Sequence, residues 1–211
     1  MDNIFIFFSE NSNMVLTALY QHVLISVVAV VAGIIVALPA GILLTRNRKV
    51  ASVVLAVFGV INTVPSLVLL GVAMMILGLG FGPAVSVLFV YSLLPIMRNT
   101  CIGIQGVDPK YLKAARGMGM SRMQILIKVQ LPLALPVIIA GIRMSSIYII
   151  SWATLSAFIG AGGLGDLIWS GLQSYNYNMI FCGAIPATIL ALLVSFLLSF
   201  AEKKAVKYSK A

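Results

Sequence analysis

Tyr148 and Trp152 stand four residues apart in an apolar stretch, so on a helix they share one face. Two rings on one face can attract a cation through their π-systems, or can pack one helix against the next, and the spacing leaves both open. Other residue types that do chemistry are thinly spread. The single histidine, His22, precedes a long apolar run and reads as a boundary residue rather than a proton relay. Cys101 and Cys182 are about eighty residues apart without companion ligands, the pattern of small apolar fillers. No Gly-x-x-x-x-Gly-Lys-Ser/Thr phosphate loop occurs, and neither metal-ligand spacing nor a nucleophile with its base is found. The chain is therefore not expected to be an enzyme.

These residues sit in a chain of 211 that is 61% hydrophobic and only 9% charged, with a mean hydropathy of +1.11. A soluble domain carries roughly a quarter charged residues, so the composition points to an integral membrane protein. Its long apolar runs are helical rather than the short alternating strands of a barrel. The opening MDNIFIFFSENSN has Asp2 and Glu10 and no basic residue, unlike a secretory signal peptide. A net charge of +9 might suggest nucleic acid as partner, but its distribution argues against that. Lys and Arg fall into three clusters, 46–49, 98–143 and 203–210, while Asp2, Glu10 and Asp166 lie in stretches with no basic residue. Such segregation is the positive-inside pattern.

About 20 apolar residues cross a bilayer, which predicts five spans. They are 23–44, one from 50 up to the break Gly78-Leu-Gly-Phe-Gly-Pro83, one from about 84 past Arg98, whose guanidinium can snorkel to the interface, then 135–158 and 179–200. Spans alternate in direction, so every basic cluster falls on one side only if the N-terminus is outside. Residues 1–22 are then an extracellular segment, 23–200 the membrane domain and 201–211 a cytoplasmic basic tail. Pro65 interrupts the second span, with Asn62 and Thr63 beside it to satisfy freed backbone groups. That break marks either a path-lining discontinuous helix or a packing kink. Arg143, just inside the fourth span, either snorkels to the interface or lines the inner mouth.

The segment between the third and fourth spans is too basic to cross. Asp108-Pro109 has the form of an N-cap followed by proline at the first helical position. It predicts a helix through Lys-Tyr-Leu-Lys-Ala-Ala-Arg that stops at Gly117 or Gly119. Ser121 and Gln124 form a capping box for a second helix, closed by Leu131-Pro132. Ala114, Ala115 and Gly119 give this elbow a small-residue face that a partner's backbone can approach.

Lys113-Ala114-Ala115, three residues, Gly119, nine residues, then Val129-Gln130-Leu131-Pro132 resembles a known cytoplasmic signature. It is E-A-A, three residues, G, nine residues, I-x-L-P, found in permease subunits of binding-protein-dependent ABC importers. Lys113 replaces the glutamate and Val129 the isoleucine. With TVPSLVLLG, YSLLPIMRNT, LPLALPVIIAGIR and AFIGAGGLGDLIWSGL added, residues 16–201 are similar to the small permeases of osmoprotectant importers for glycine betaine, carnitine and choline. The resemblance implies an all-α type I ABC importer permease fold of about five transmembrane helices in a bacterial cell membrane. It implies a coupling loop, 107–132, in which Lys113, Ala114, Ala115, Gly119, Leu131 and Pro132 dock on a separate ATPase dimer. ATP and Mg would belong to that partner, with no cofactor on this chain. A second permease, identical or related, and an extracellular substrate-binding protein complete the implied assembly.

The resemblance further implies that the outer loop, 159–178, gates the mouth or meets the binding protein through Gly162, Gly163, Gly165, Asp166 and Trp169. The residues alone offer tight glycine turns and an interfacial belt of Trp169, Tyr175 and Tyr177. Asn62, Pro65, Arg143, Tyr148 and Trp152 are the candidate path residues, since a quaternary ammonium lacks an N–H and is held by aromatic faces. Two rival classes stay open: an ABC permease for an amino acid or other small solute, and a self-contained channel or carrier. The absence of a carboxylate within the spans argues against ion coupling.

Overall fold

Prolines, glycines and capping side chains set where each helix of this chain begins and ends. The computed structural model describes residues 4–210; Asp2 of the opening segment and Ala211 of the basic tail lie outside them. In order the helices are α1 (Ile4–Glu10), α2 (Ser12–Leu44), α3 (Arg48–Thr63), α4 (Ser66–Leu77), α5 (Phe81–Gln105), α6 (Pro109–Gly117) and α7 (Arg122–Ile125). A π turn (Leu126–Gln130) leads into α8 (Leu131–Ala153), followed by a 3₁₀ helix (Thr154–Ile159), α9 (Leu164–Gln173) and α10 (Tyr177–Lys210). Among the described residues four helical stretches are long and apolar enough to cross a membrane, and the bent pair α3–α4 makes a fifth if it crosses as one span.

α5 is the central helix, with α2 on one side and α8 on another. Small residues set these contacts. Gly33 and Gly41 of α2 lie against Ser92 and Thr100, so α2 and α5 run parallel. Gly141 of α8 lies under Asn99, Gly103 lies against Ala134, and the Ser145 hydroxyl donates to the Ser92 carbonyl at 3.2 Å, so α8 runs the other way. Lipid tails are as apolar as leucine, so membrane helices associate through such close backbone approach rather than through hydrophobic burial. The core on one half holds Ile25, Leu70, Leu88, Tyr91 and Ile149, and on the other Ala37, Leu93, Ile96, Met97 and Cys101. Both cysteines are free and buried, and the Cys101 thiol donates to the Gly41 carbonyl at 3.2 Å.

Two expectations about the helices are corrected, and one left open is decided. The first span extends N-terminally to Ser12, because nothing in Ser12 to His22 breaks a helix. At Pro65, where a discontinuous helix and a kink both stayed open, α3 and α4 meet at 91° as separate helices. Val64, extended at φ −67 and ψ 131 as a residue before proline prefers, ends α3, and Pro65 opens α4. Leu131-Pro132 does not close the helix after Ser121, which runs on through the π turn into α8. Proline clashes with the carbonyl four residues back; the widened turn, with the Leu131 N–H bonded to the Leu126 carbonyl, relieves that clash.

The two ends of the bundle differ in charge. The start of α2, the Gly78–Gly80 turn and α9 share one end, where the Gly80 N–H donates to the Ile159 carbonyl at 2.8 Å. The end of α2, the start of α3, α6 and α7 share the other, toward which α10 also runs. Among the described residues the first end carries Glu10 and Asp166 and no Lys or Arg; the basic clusters belong to the second.

Candidate functional site

At the basic end, the Asp108 carboxylate accepts from the Lys110 N–H at 2.8 Å and opens α6. That backbone bond and the Lys110 ammonium, 3.1 Å away, hold the carboxyl below the usual carboxylate range. Both side chains are solvated, so the pair contributes little to stability. α6 ends at an elbow where Gly119 takes φ +77 and the Met120 N–H reaches the Ala115 carbonyl at 3.1 Å. The capping box is complete: the Ser121 hydroxyl accepts from the Gln124 N–H at 3.3 Å, and the Gln124 amide oxygen accepts from the Ser121 N–H at 2.8 Å.

Lys113, Ala114, Gly119 and Pro132 are exposed, whereas Leu131 is partly covered by the core beneath. Ala115 is corrected: it is 1% exposed, facing into the chain, so its side chain offers nothing to a docking partner. Exposed Met118 and Met123 flank the elbow in its place. Methionine is a frequent, adaptable residue of binding surfaces, and both belong to the run Gly-Met-Gly-Met-Ser-Arg-Met, residues 117–123.

Tyr148 and Trp152 do share a face, stacked with centroids 5.6 Å apart and planes at 28°. Trp152 also meets Tyr91, at 4.6 Å and 59°. Tyr91, which sequence reasoning missed, is buried in α5, and its phenol donates to the Val64 carbonyl at 2.6 Å. A carbonyl freed by a helix break needs a donor, but nothing in the sequence says that Tyr91 supplies it. The fold thus joins Tyr148, Trp152 and the Pro65 break into one cluster. The rings touch each other, so no ammonium fits between them; only the open side of half-exposed Tyr148 presents a π-face. Asn62 turns its amide back to the Phe58 carbonyl at 3.1 Å. Arg143 joins no ring and is not a lone snorkelling cation. It forms an ion pair with Glu202 of α10 at 3.2 Å, although the angle falls outside hydrogen-bond geometry.

At the acidic end, Gly162, Gly163 and Gly165 are buried, which corrects their reading as a contact surface. The Gly163 N–H donates to the Gln21 amide oxygen at 3.0 Å. Gly163, at φ +89, also sits so close to His22 that a Cβ there would lie 3.2 Å from Nδ1. His22 is fully buried rather than a boundary residue, and its Nε2–H donates to the Ile150 carbonyl at 3.0 Å. Gly165 passes the Thr154 carbonyl too closely to tolerate any Cβ. Trp169 packs on Phe158 with centroids 4.3 Å apart. Asp166, in the first turn of α9, is half-buried, and burial pushes its carboxyl up from the usual range.

Residues 29–204 match the family described as "Binding-protein-dependent transport system inner membrane component". The chain is 52% identical to the carnitine transport permease protein OpuCB of Listeria monocytogenes over 202 residues, covering 96% of this chain and 93% of that one. It is 46% identical to the choline transport system permease protein OpuBB of Bacillus subtilis (strain 168), covering 97% and 94%. Among solved structures it is similar to an inward-facing form of the MetNI methionine ABC transporter, with TM-score 0.81, 24% identity and coverage of 90% and 95%. It is likewise similar to an amino acid ABC transporter with histidines, with TM-score 0.80, 24% identity and coverage of 97% and 100%. At that identity the two structures speak for the fold alone, which is that of a type I importer permease.

Proposed function

The chain belongs to the family of binding-protein-dependent transport system inner membrane components, and from that premise we propose that it is the permease subunit of an ATP-driven importer of quaternary ammonium osmoprotectants. Its cargo is glycine betaine, carnitine or choline. The observation that carries this reading is the near full-length likeness to permeases named for carnitine and choline transport.

The exposed elbow around Gly119 supports the coupling role. It is a capped, ordered projection at the basic end, with Lys113, Ala114, Met118 and Met123 free to meet another chain. The chain itself catalyses nothing: ATP and Mg bind to a cytoplasmic ATPase dimer that docks on the elbow. The basic end faces the cytoplasm, so the N-terminus and the acidic end face outward, toward a substrate-binding protein. A second permease, identical or related, completes the path. At that path the half-exposed Tyr148 face, backed by Trp152 and Tyr91, suits a cation without N–H donors.

Co-purified complex in vesicles tests the reading. Uptake of radiolabelled betaine, carnitine or choline should require ATP on the ATPase side and binding protein on the other. Uptake driven by an ion gradient without ATP would overturn it. Specific uptake of an amino acid instead would assign a different cargo to the same machine.

A further inference from the structure

At the acidic end, the start of α2, the start of α9 and Met179 of α10 enclose an open cavity of about 460 Å³. Its lining combines polar Asn13, Thr17, Gln21 and Ser170 with apolar Met14, Ala18, Leu167 and Met179. Asp166 is the only charged group in the lining. Among the described residues its carboxylate has no cationic partner and accepts no hydrogen bond from a side chain or backbone N–H. An unpaired carboxylate in a half-covered site is a costly arrangement unless something neutralises it. Among the described residues no Lys or Arg lies at this end to do so.

We propose that this cavity is a binding site for a small organic cation with an alkylated ammonium head, neutralised by Asp166. The lining decides the ligand class. A calcium ion takes six to eight oxygens at roughly 2.3–2.6 Å, whereas this cavity is several times an ion's size and most of its exposed lining is hydrocarbon. Methionine and leucine side chains suit methyl groups, and an anion would face a carboxylate with no compensating cation. The Gln21 oxygen is already committed to the Gly163 N–H, which fixes that side chain through the same contact that holds the α9 turn on α2. The cavity is lined by α2, α9 and α10 and includes neither Tyr148 nor Trp152, so a binding test of it stands apart from the uptake test.

The test is equilibrium binding of radiolabelled choline and of tetramethylammonium to the full-length chain in nanodiscs. The chain is purified with the subunits that accompany it and without any binding protein. Binding should saturate, and 3,3-dimethylbutanol, the uncharged isostere of choline, should compete at least about tenfold more weakly. Asp166→Asn should weaken binding at least about tenfold, equivalent to about 1.4 kcal/mol. This variant should fold, because burial already disfavours the charge it removes. Thr17→Trp, which fills the cavity and leaves the carboxylate in place, should abolish binding. Glu10→Gln, an exposed acid at the same end outside the lining, should leave it unchanged. Wild-type binding in Asp166→Asn or Thr17→Trp would overturn the proposal. So would displacement by equimolar potassium, or the absence of saturable binding.

Discussion

Gly119, in the elbow between α6 and α7, and Gly165, in the first turn of α9, answer to different physics. Around Gly119 an added Cβ meets nothing within 4 Å, but the backbone stands at φ +77. Gly119→Ala therefore costs about 1 kcal/mol of conformational strain and no packing. At Gly165 the helix is ordinary, but a Cβ would run into the Thr154 carbonyl, a backbone atom that cannot swing aside. Gly165→Ala should cost about 1–3 kcal/mol or more through overpacking. Membrane abundance and thermal stability in detergent should fall clearly for Gly165→Ala and barely for Gly119→Ala; equal losses would contradict the two environments. The sequence reads Gly119 as a helix stop with a small face and Gly165 as one of the glycines permitting a tight turn. Which one is steric depends on Thr154, eleven residues away and set opposite Gly165 only by the fold. His22 carries the same lesson: beside an apolar run it reads as a boundary residue, but Ile150 and Gly163 enclose it.

The coupling elbow is where element-level signals are most legible. Asp108-Pro109 and the Ser121–Gln124 box are local chemistry, each bond spanning two or three residues, so the caps form where the spacing predicts. What was not legible is the direction each side chain takes once α6 rests on α7 and the π turn. Ala114 is exposed and Ala115 buried, so Ala115→Asp would damage the elbow itself and says little about docking. Ala114→Asp and Gly119→Asp instead place a charge on the exposed face. If the elbow inserts into an ATPase, docking would desolvate that charge, at a cost of several kcal/mol. A loss of about 3 kcal/mol weakens docking roughly a hundredfold. Both variants should reach the membrane, lose co-purifying ATPase and lose uptake, whereas Lys113→Glu, which restores the residue usual in the resembling signature, should keep both. Normal ATPase retention in both aspartate variants would remove the elbow from the docking surface.

For the whole molecule, charge segregation makes orientation measurable. With Cys101 and Cys182 replaced by alanine, single cysteines at Asn11 and Lys203 should label from opposite faces of the membrane with an impermeant reagent, Asn11 from outside. Labelling of both from outside intact cells would contradict five crossings, and with them the reading of α3–α4 as one span despite its 91° bend. The sequence by itself determined the membrane class, the number of apolar runs, the two charge-distinct ends and the two N-caps of the elbow. Those depend on composition and on contacts between near neighbours, which any fold of this chain would retain. Tertiary structure alone decided the rest: Tyr91 on the Val64 carbonyl, Glu202 beside Arg143, Gly163 on Gln21 and His22, and Asp166 left unpaired in a cavity. Each of these joins residues far apart in the chain or leaves one without a partner. In a uniformly apolar sequence, periodicity cannot say which helix faces meet; the small residues that let backbones touch decide it, and their partners are known only after packing.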